Sequence, residues 1–143
     1  MKGKFKKFLL ILNAICGVLV FVIGTFILAT GLFISIRERV IPPVIISTPI
    51  SIFLFYLAYY HFVINKTKLK NLTDKQEKFI RMSSVISIVV FSISLTSMLM
   101  AIIGCLIYGP LVEPGFFFCF IGVAVFSALL VFYNVLMYKI INK

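Results

Sequence analysis

Four long stretches of the chain contain no Asp, Glu, Lys or Arg: residues 8–36, 40–64, 82–112 and 114–138. Each exceeds the roughly 20 apolar residues that a helix needs to cross a bilayer core. All eighteen charged side chains lie outside them. The pattern predicts an all-α integral membrane protein. It would be a single domain of four transmembrane helices in a bundle, with spans at about residues 8–36, 40–64, 82–108 and 115–138. A hydrophobic content of 62% agrees, because soluble domains hold roughly 45–50%. Four spans and short connections use the whole length, leaving no room for a separate soluble domain.

The charges are as informative as the gaps between them. A net charge of +10 would suggest nucleic acid in a soluble protein; here its placement points to anionic lipid head groups, with no direct nucleic-acid role. Lys2, Lys4, Lys6 and Lys7 precede the first span, Lys66, Lys68, Lys70, Lys75, Lys78 and Arg81 lie between the second and third, and Lys139 and Lys143 end the chain. These segments hold twelve of the fourteen basic residues. Basic residues stay on the cytoplasmic side of a membrane, so both termini and the 65–81 loop are expected in the cytoplasm. The first apolar run is about twice the length of a signal-peptide core and reads as a retained anchor. Lys- and Ile-rich usage with sixteen Phe and no Trp suits a bacterial inner membrane.

The connections carry local signals. Pro42 and Pro43 sit at the start of the second span, where a missing N–H costs least. Pro49 lies deeper and is expected to kink the helix, with Ser47, Thr48 and Ser51 at hand to satisfy the freed carbonyl. Thr73 followed by Gln76 reads as a capping box, which starts the third helix near Asp74. Its first turns then carry Lys75, Lys78 and Arg81 on one side. Those residues, with Lys66, Lys68 and Lys70, form a candidate docking face for a partner or for lipid head groups, or they enforce topology alone. Residues 108–115 read as a tight Gly/Pro turn.

Short matches hint at an internal repeat. Lys7-Phe8 has a counterpart in Lys78-Phe79, Phe55-Tyr56 in Phe132-Tyr133, and Ile64-Asn65-Lys66 in Ile141-Asn142-Lys143. The last two pairs share an offset of 77 and would make the halves two parallel helical hairpins.

Two helix faces are candidates for packing. Gly17, Gly24 and Gly31 recur every seven residues, with Asn13 on the same stripe, which lets another backbone approach closely. On the third helix, Ser83, Ser87, Ser94, Ser97, Ala101, Gly104 and Cys105 share one side. That side is expected to pack, or else to line a polar path. On the fourth helix, Asn134 is the expected polar partner for Asn13. Tyr56, Tyr59, Tyr60, Tyr133 and Tyr138 read as an interfacial belt, with His61 snorkelling among them.

Catalytic chemistry is sparse. One His, four acids and three Cys without C-x-x-C spacing offer no catalytic cluster, metal set or cofactor site. No ionisable acid or base other than His61 falls within the spans, which disfavours proton-coupled antiport. Small, basic, four-span proteins of this plan include bacterial immunity proteins against pore-forming toxins, exclusion proteins and membrane subunits of anti-phage systems; no motif selects among them. The expected role is a non-enzymatic interaction, sensor, immunity, exclusion or defence-type subunit. It would act through helix–helix and loop contacts, as a homo-oligomer or with a membrane or cytoplasmic protein. The alternative is an oligomeric channel or facilitator lined by the helix-three hydroxyls.

Overall fold

A computed structural model describes residues 2–109 and 113–142. These residues form four helices, α1 (Lys2–Glu38), α2 (Pro42–Thr67), α3 (Asp74–Ile107) and α4 (Pro114–Ile141), with no strand among them. All four are long and apolar enough to cross a membrane. At 1.5 Å per residue α1 is about 55 Å long and α2 about 39 Å, against a hydrocarbon core of about 30 Å. The excess length of α1 and α3 includes their lysine-bearing first turns. Part of the 108–115 turn, residues 110–112, lies outside the described residues.

The chain divides into two compact units, Met1–Lys75 and Gln76–Lys143. In the first, α1 turns into α2 through three residues. Arg39 takes the left-handed conformation (φ 53°), and the Val40 N–H reaches back to the Ser35 carbonyl at 3.2 Å, a Schellman closure. α2 starts without a side chain at its own cap position, but Pro42 and Pro43 remove two of the N–H groups that would need one. The Val44 N–H is served by Ser35 Oγ at 3.1 Å, so the end of α1 caps the start of α2. At its far end α2 closes on Lys68, left-handed at φ 49°, whose N–H donates to the Ile64 carbonyl.

α2 runs unbroken through Pro49. The hydroxyls around it do not serve the carbonyl that Pro49 frees, that of Ile45. Thr48 Oγ1 donates to the Val44 carbonyl at 2.7 Å and Ser47 Oγ to the same oxygen at 3.4 Å. Ser51 Oγ is buried without a partner. A hydroxyl on a helix bonds three or four residues back; Ser47 takes the oxygen three back and Thr48 the oxygen four back, and both are Val44's.

α3 begins at Asp74, directly after Thr73, and runs on into the second unit. α3 and α4 meet at an edge-to-face pair, Phe91 with Phe126, ring centroids 6.2 Å apart, and at Ser94 Oγ and Ser127 Oγ, 3.1 Å apart.

Within each unit the buried positions follow a common register. Leu9, Asn13, Cys16 and Val20 are buried on α1; 71 residues later, Ile80, Ser84, Ser87 and Phe91 are buried on α3. Ser51, Leu54, Leu57, Tyr60, His61 and Ile64 are buried on α2; 73 residues later come Ala124, Ser127, Leu130, Tyr133, Asn134 and Met137 on α4. Helical periodicity alone gives spacings of three and four; the consecutive buried pair 60–61 recurring as 133–134, with Tyr in the same slot, goes further. Gly24, Gly31, Ser47, Ser83 and Cys105 are buried outside this correspondence.

Candidate functional site

The glycines of α1 face α2. A Cβ at Gly17 would lie 2.9 Å from His61 Cβ, and one at Gly24 would lie 3.1 Å from Leu54 Cβ and 3.2 Å from the Phe55 ring. At Gly31 it would overlap Ser47 Oγ, come within 2.5 Å of Ser47 Cβ and stand 3.1 Å from the Pro43 carbonyl. The stripe is therefore a seam within one hairpin: Gly31, Gly24 and Gly17 receive Ser47, Leu54 and His61, each set spaced by seven. Close approach of this kind supplies the dispersion contacts that hold helices together where lipid removes the hydrophobic driving force.

Beyond Gly17, the seam ends in a polar pair. Asn13 Nδ2 donates to the His61 backbone carbonyl at 2.9 Å. Asn13 Oδ1 stands 2.8 Å from His61 Nδ1. Because the amide nitrogen is committed to a carbonyl, Oδ1 is the acceptor and His61 Nδ1 carries the proton. Both side chains are essentially inaccessible, at 0% and 1% exposure. His61 is thus not a snorkelling rim residue. Its place opposite Gly17 directs it into the hairpin, and the Asn13 amide satisfies its ring there. Asn134 donates to the Leu130 carbonyl of its own helix at 2.7 Å.

The tyrosine belt is likewise only partly a belt. Tyr59 and Tyr138 are exposed, but Tyr60 and Tyr133 are completely buried. Each stands beside a buried polar residue, His61 and Asn134 respectively, on the packed face of its helix, which overrides the interfacial preference of the side chain.

The α3 stripe divides along its length. Ser83, Ser84 and Ser87 are buried; Ser84 Oγ donates to the Ile80 carbonyl at 2.8 Å, whereas Ser87 Oγ has no partner. Ser94 meets Ser127 of α4. Ser97 is exposed and donates to the Ile93 carbonyl of its own helix at 2.9 Å. Ala101 is half-buried. Among the described residues nothing approaches within 4 Å of a Cβ at Gly104 or, on α4, at Gly122. The small residues toward the end of α3 do not make the close contact that the α1 glycines make. Cys16, Cys105 and Cys119 are free thiols, the first two buried.

The lysines gather at one end of the first unit. Asn13 against His61 and Gly31 against Ser47 make α1 and α2 antiparallel, so Lys4, Lys6 and Lys7 stand at the same end as Lys66, Lys68 and Lys70. Lys4, Lys7, Lys66, Lys68 and Lys70 are exposed. Residues 1–73 contain a single acid, Glu38, at the opposite end of the hairpin. Lys75 and Lys78 are exposed on α3, and Arg81 is bound to Glu77 one turn earlier at 2.8 Å. None of Lys66, Lys68, Lys70, Lys75 and Lys78 is ion-paired among the described residues. The described residues also contain no group of three His, Cys, Asp or Glu placed to hold a metal ion.

Compared with protein-family models, curated proteins and solved structures, the chain matches none.

Proposed function

We propose that this is a non-enzymatic, four-span membrane protein of the bacterial inner membrane, with both termini and the 65–81 segment in the cytoplasm. It would work as an interaction or sensor subunit of immunity, exclusion or defence type. The observation that carries the reading is the set of exposed lysines without ion pairs at 66, 68, 70, 75 and 78, following a hairpin whose outer faces are apolar. Charges left open at the end of apolar helices suit anionic head groups or an acidic partner surface. The shared burial register of the two hairpins supports descent from one repeated hairpin. The engagement of the Ser84, Ser94 and Ser97 hydroxyls by protein partners supports packing over a hydrated path on α3.

Purified protein in liposomes tests the reading against the channel alternative. The expected result is no ion or solute flux above protein-free vesicles. In cells, a photocrosslinker at position 78 should give a discrete protein adduct that disappears when Lys75 and Arg81 are changed to Gln. Flux that is abolished by Ser94→Leu with Ser97→Leu, in a variant that still folds, would overturn it.

A further inference from the structure

The first hairpin carries an open groove of about 260 Å³ between α1 and α2, at the lysine-bearing end. Small residues create it: Ala14 and Gly17 on one wall and Ala58 on the other leave space that larger side chains would close, and His61, its ring nitrogen Nδ1 turned to Asn13, completes the lining. Val18, Phe21 and Phe62 make its rim, and all three are exposed. Asn65 lines it at the end where α2 approaches its terminus, one residue before exposed Lys66 and three before exposed Lys68. From Phe21 to Asn65 the lining thus passes from hydrocarbon to an amide to a cluster of uncompensated positive charge.

We propose that this groove is a binding site for one anionic phospholipid. An acyl chain lies along Ala14, Gly17 and Ala58, and the phosphate is held at Asn65 by the lysines of the 66–70 segment and of the α1 start. The occupant follows from the two halves of the site. The apolar slot accepts an alkyl chain and offers few polar groups to anything else. The exit is rich in positive charge: the first unit holds only two acids, Glu38 at the far end and Asp74 at the start of α3. A zwitterionic lipid would fill the slot but would bring its own cation to the lysines, so head-group charge should decide occupancy. Groups that meet a lipid at both chain and head group hold it longer than a charged surface alone can. The inference rests on the proposed membrane insertion with this end at the cytoplasmic head groups.

The test uses the full chain reconstituted in vesicles. The vesicles carry a trace of either phosphatidylglycerol or phosphatidylcholine bearing a photoreactive group on one acyl chain, and adducts are mapped by mass spectrometry. Adducts are expected within residues 14–21 and 58–65, with strong preference for phosphatidylglycerol. Ala58→Phe should fill the slot and remove these adducts while leaving labelling elsewhere unchanged. Val18→Phe, on the exposed rim, provides a second block that does not touch the helix seam. Lys66→Gln with Lys68→Gln should keep the adduct sites but reduce the phosphatidylglycerol preference about tenfold, because each basic residue near the surface contributes several-fold in binding. Equal labelling by both lipids, or adducts that survive both groove-filling variants, would overturn the site and leave the membrane reading intact. A chain that does not insert into vesicles would overturn both.

Discussion

The glycine seam yields a graded prediction from five single substitutions to alanine. At Gly31 the new methyl would overlap Ser47 Oγ and sit 2.5 Å from Ser47 Cβ, with the Pro43 carbonyl at 3.1 Å. Rotating the Ser47 hydroxyl away relieves the first clash and forfeits its bond to Val44, but Ser47 Cβ and the carbonyl cannot move without the backbone. Ordinary contact is about 3.5–4.0 Å, so the two helices must part by about 1 Å at this point. Overpacking of this kind costs about 1–3 kcal/mol, and replacing Gly by Ala within a helix returns at most about 1 kcal/mol. Taking the upper part of the range for a backbone clash gives a net loss of about 2 kcal/mol. At Gly17 the neighbour is His61 Cβ at 2.9 Å, held in place by Asn13, so the loss should be intermediate. At Gly24 the neighbours begin at 3.1 Å and include a ring that can tilt, so the change should be near neutral. At Gly104 and Gly122, where nothing among the described residues lies within 4 Å, alanine should be neutral or slightly stabilising. Cys16 provides the assay, because it is completely buried. In a background with Cys105→Ala and Cys119→Ala, the alkylation rate of Cys16 in detergent reports opening of the fold. A loss of 2 kcal/mol corresponds to roughly thirtyfold faster labelling. Labelling of Gly31→Ala at the parental rate, or equal acceleration in Gly104→Ala, would refute the assignment of the seam.

Three further outcomes follow from the same geometry. Asn13→Ala and His61→Ala should each destabilise by about 1–3 kcal/mol, since each strands a buried polar partner; a double-mutant cycle should return a coupling near 1 kcal/mol, in line with hydrogen bonds between membrane helices, and zero coupling would contradict the pairing. Ser51→Ala and Ser87→Ala should be neutral or stabilising, because each removes a buried hydroxyl that has no partner; a clear loss of stability in the same labelling assay would count against this. Reporter fusions after residue 81 and at Lys143 should read cytoplasmic and one near Glu113 external, as the basic residues dictate; labelling of the 65–81 segment from outside intact cells would reverse the orientation.

The helices are legible in the chain because charge exclusion is a one-dimensional signal: every span is bounded by charged residues, and α3 starts at Asp74, where the Thr73–Gln76 spacing places it. The partners of individual side chains are less legible, because residue type and seam position compete. His61 and Tyr60 have the chemistry of a membrane rim, yet they occupy the packed side of α2. The signal that could have placed His61 was present as a spacing, since Ser47, Leu54 and His61 recur every seven residues as Gly31, Gly24 and Gly17 do. Type and depth alone leave Asn13 without a partner on its own hairpin, yet it pairs with His61 across the turn. Gly104 and Gly122 show the converse difficulty. A small residue on a helix permits close approach without requiring it, and whether a neighbour comes is not written in the residue itself.

The equal spacing of the seam also creates an ambiguity in alignment. A rack of equally spaced teeth can mesh again when shifted by one: sliding α1 by seven residues would set Gly31 against Leu54 and Gly24 against His61, with both bulky side chains still opposite a glycine. Sterics alone therefore leave the hairpin periodic, and the three-residue link at its tip is one constraint against slippage. The Asn13–His61 pair is the other, because it occurs once. A shift by one tooth would carry the amide and the imidazole apart into apolar surroundings, where each unsatisfied polar group costs several kcal/mol. A polar pair in an otherwise apolar hairpin thus acts as the notch that makes one alignment unlike its neighbours.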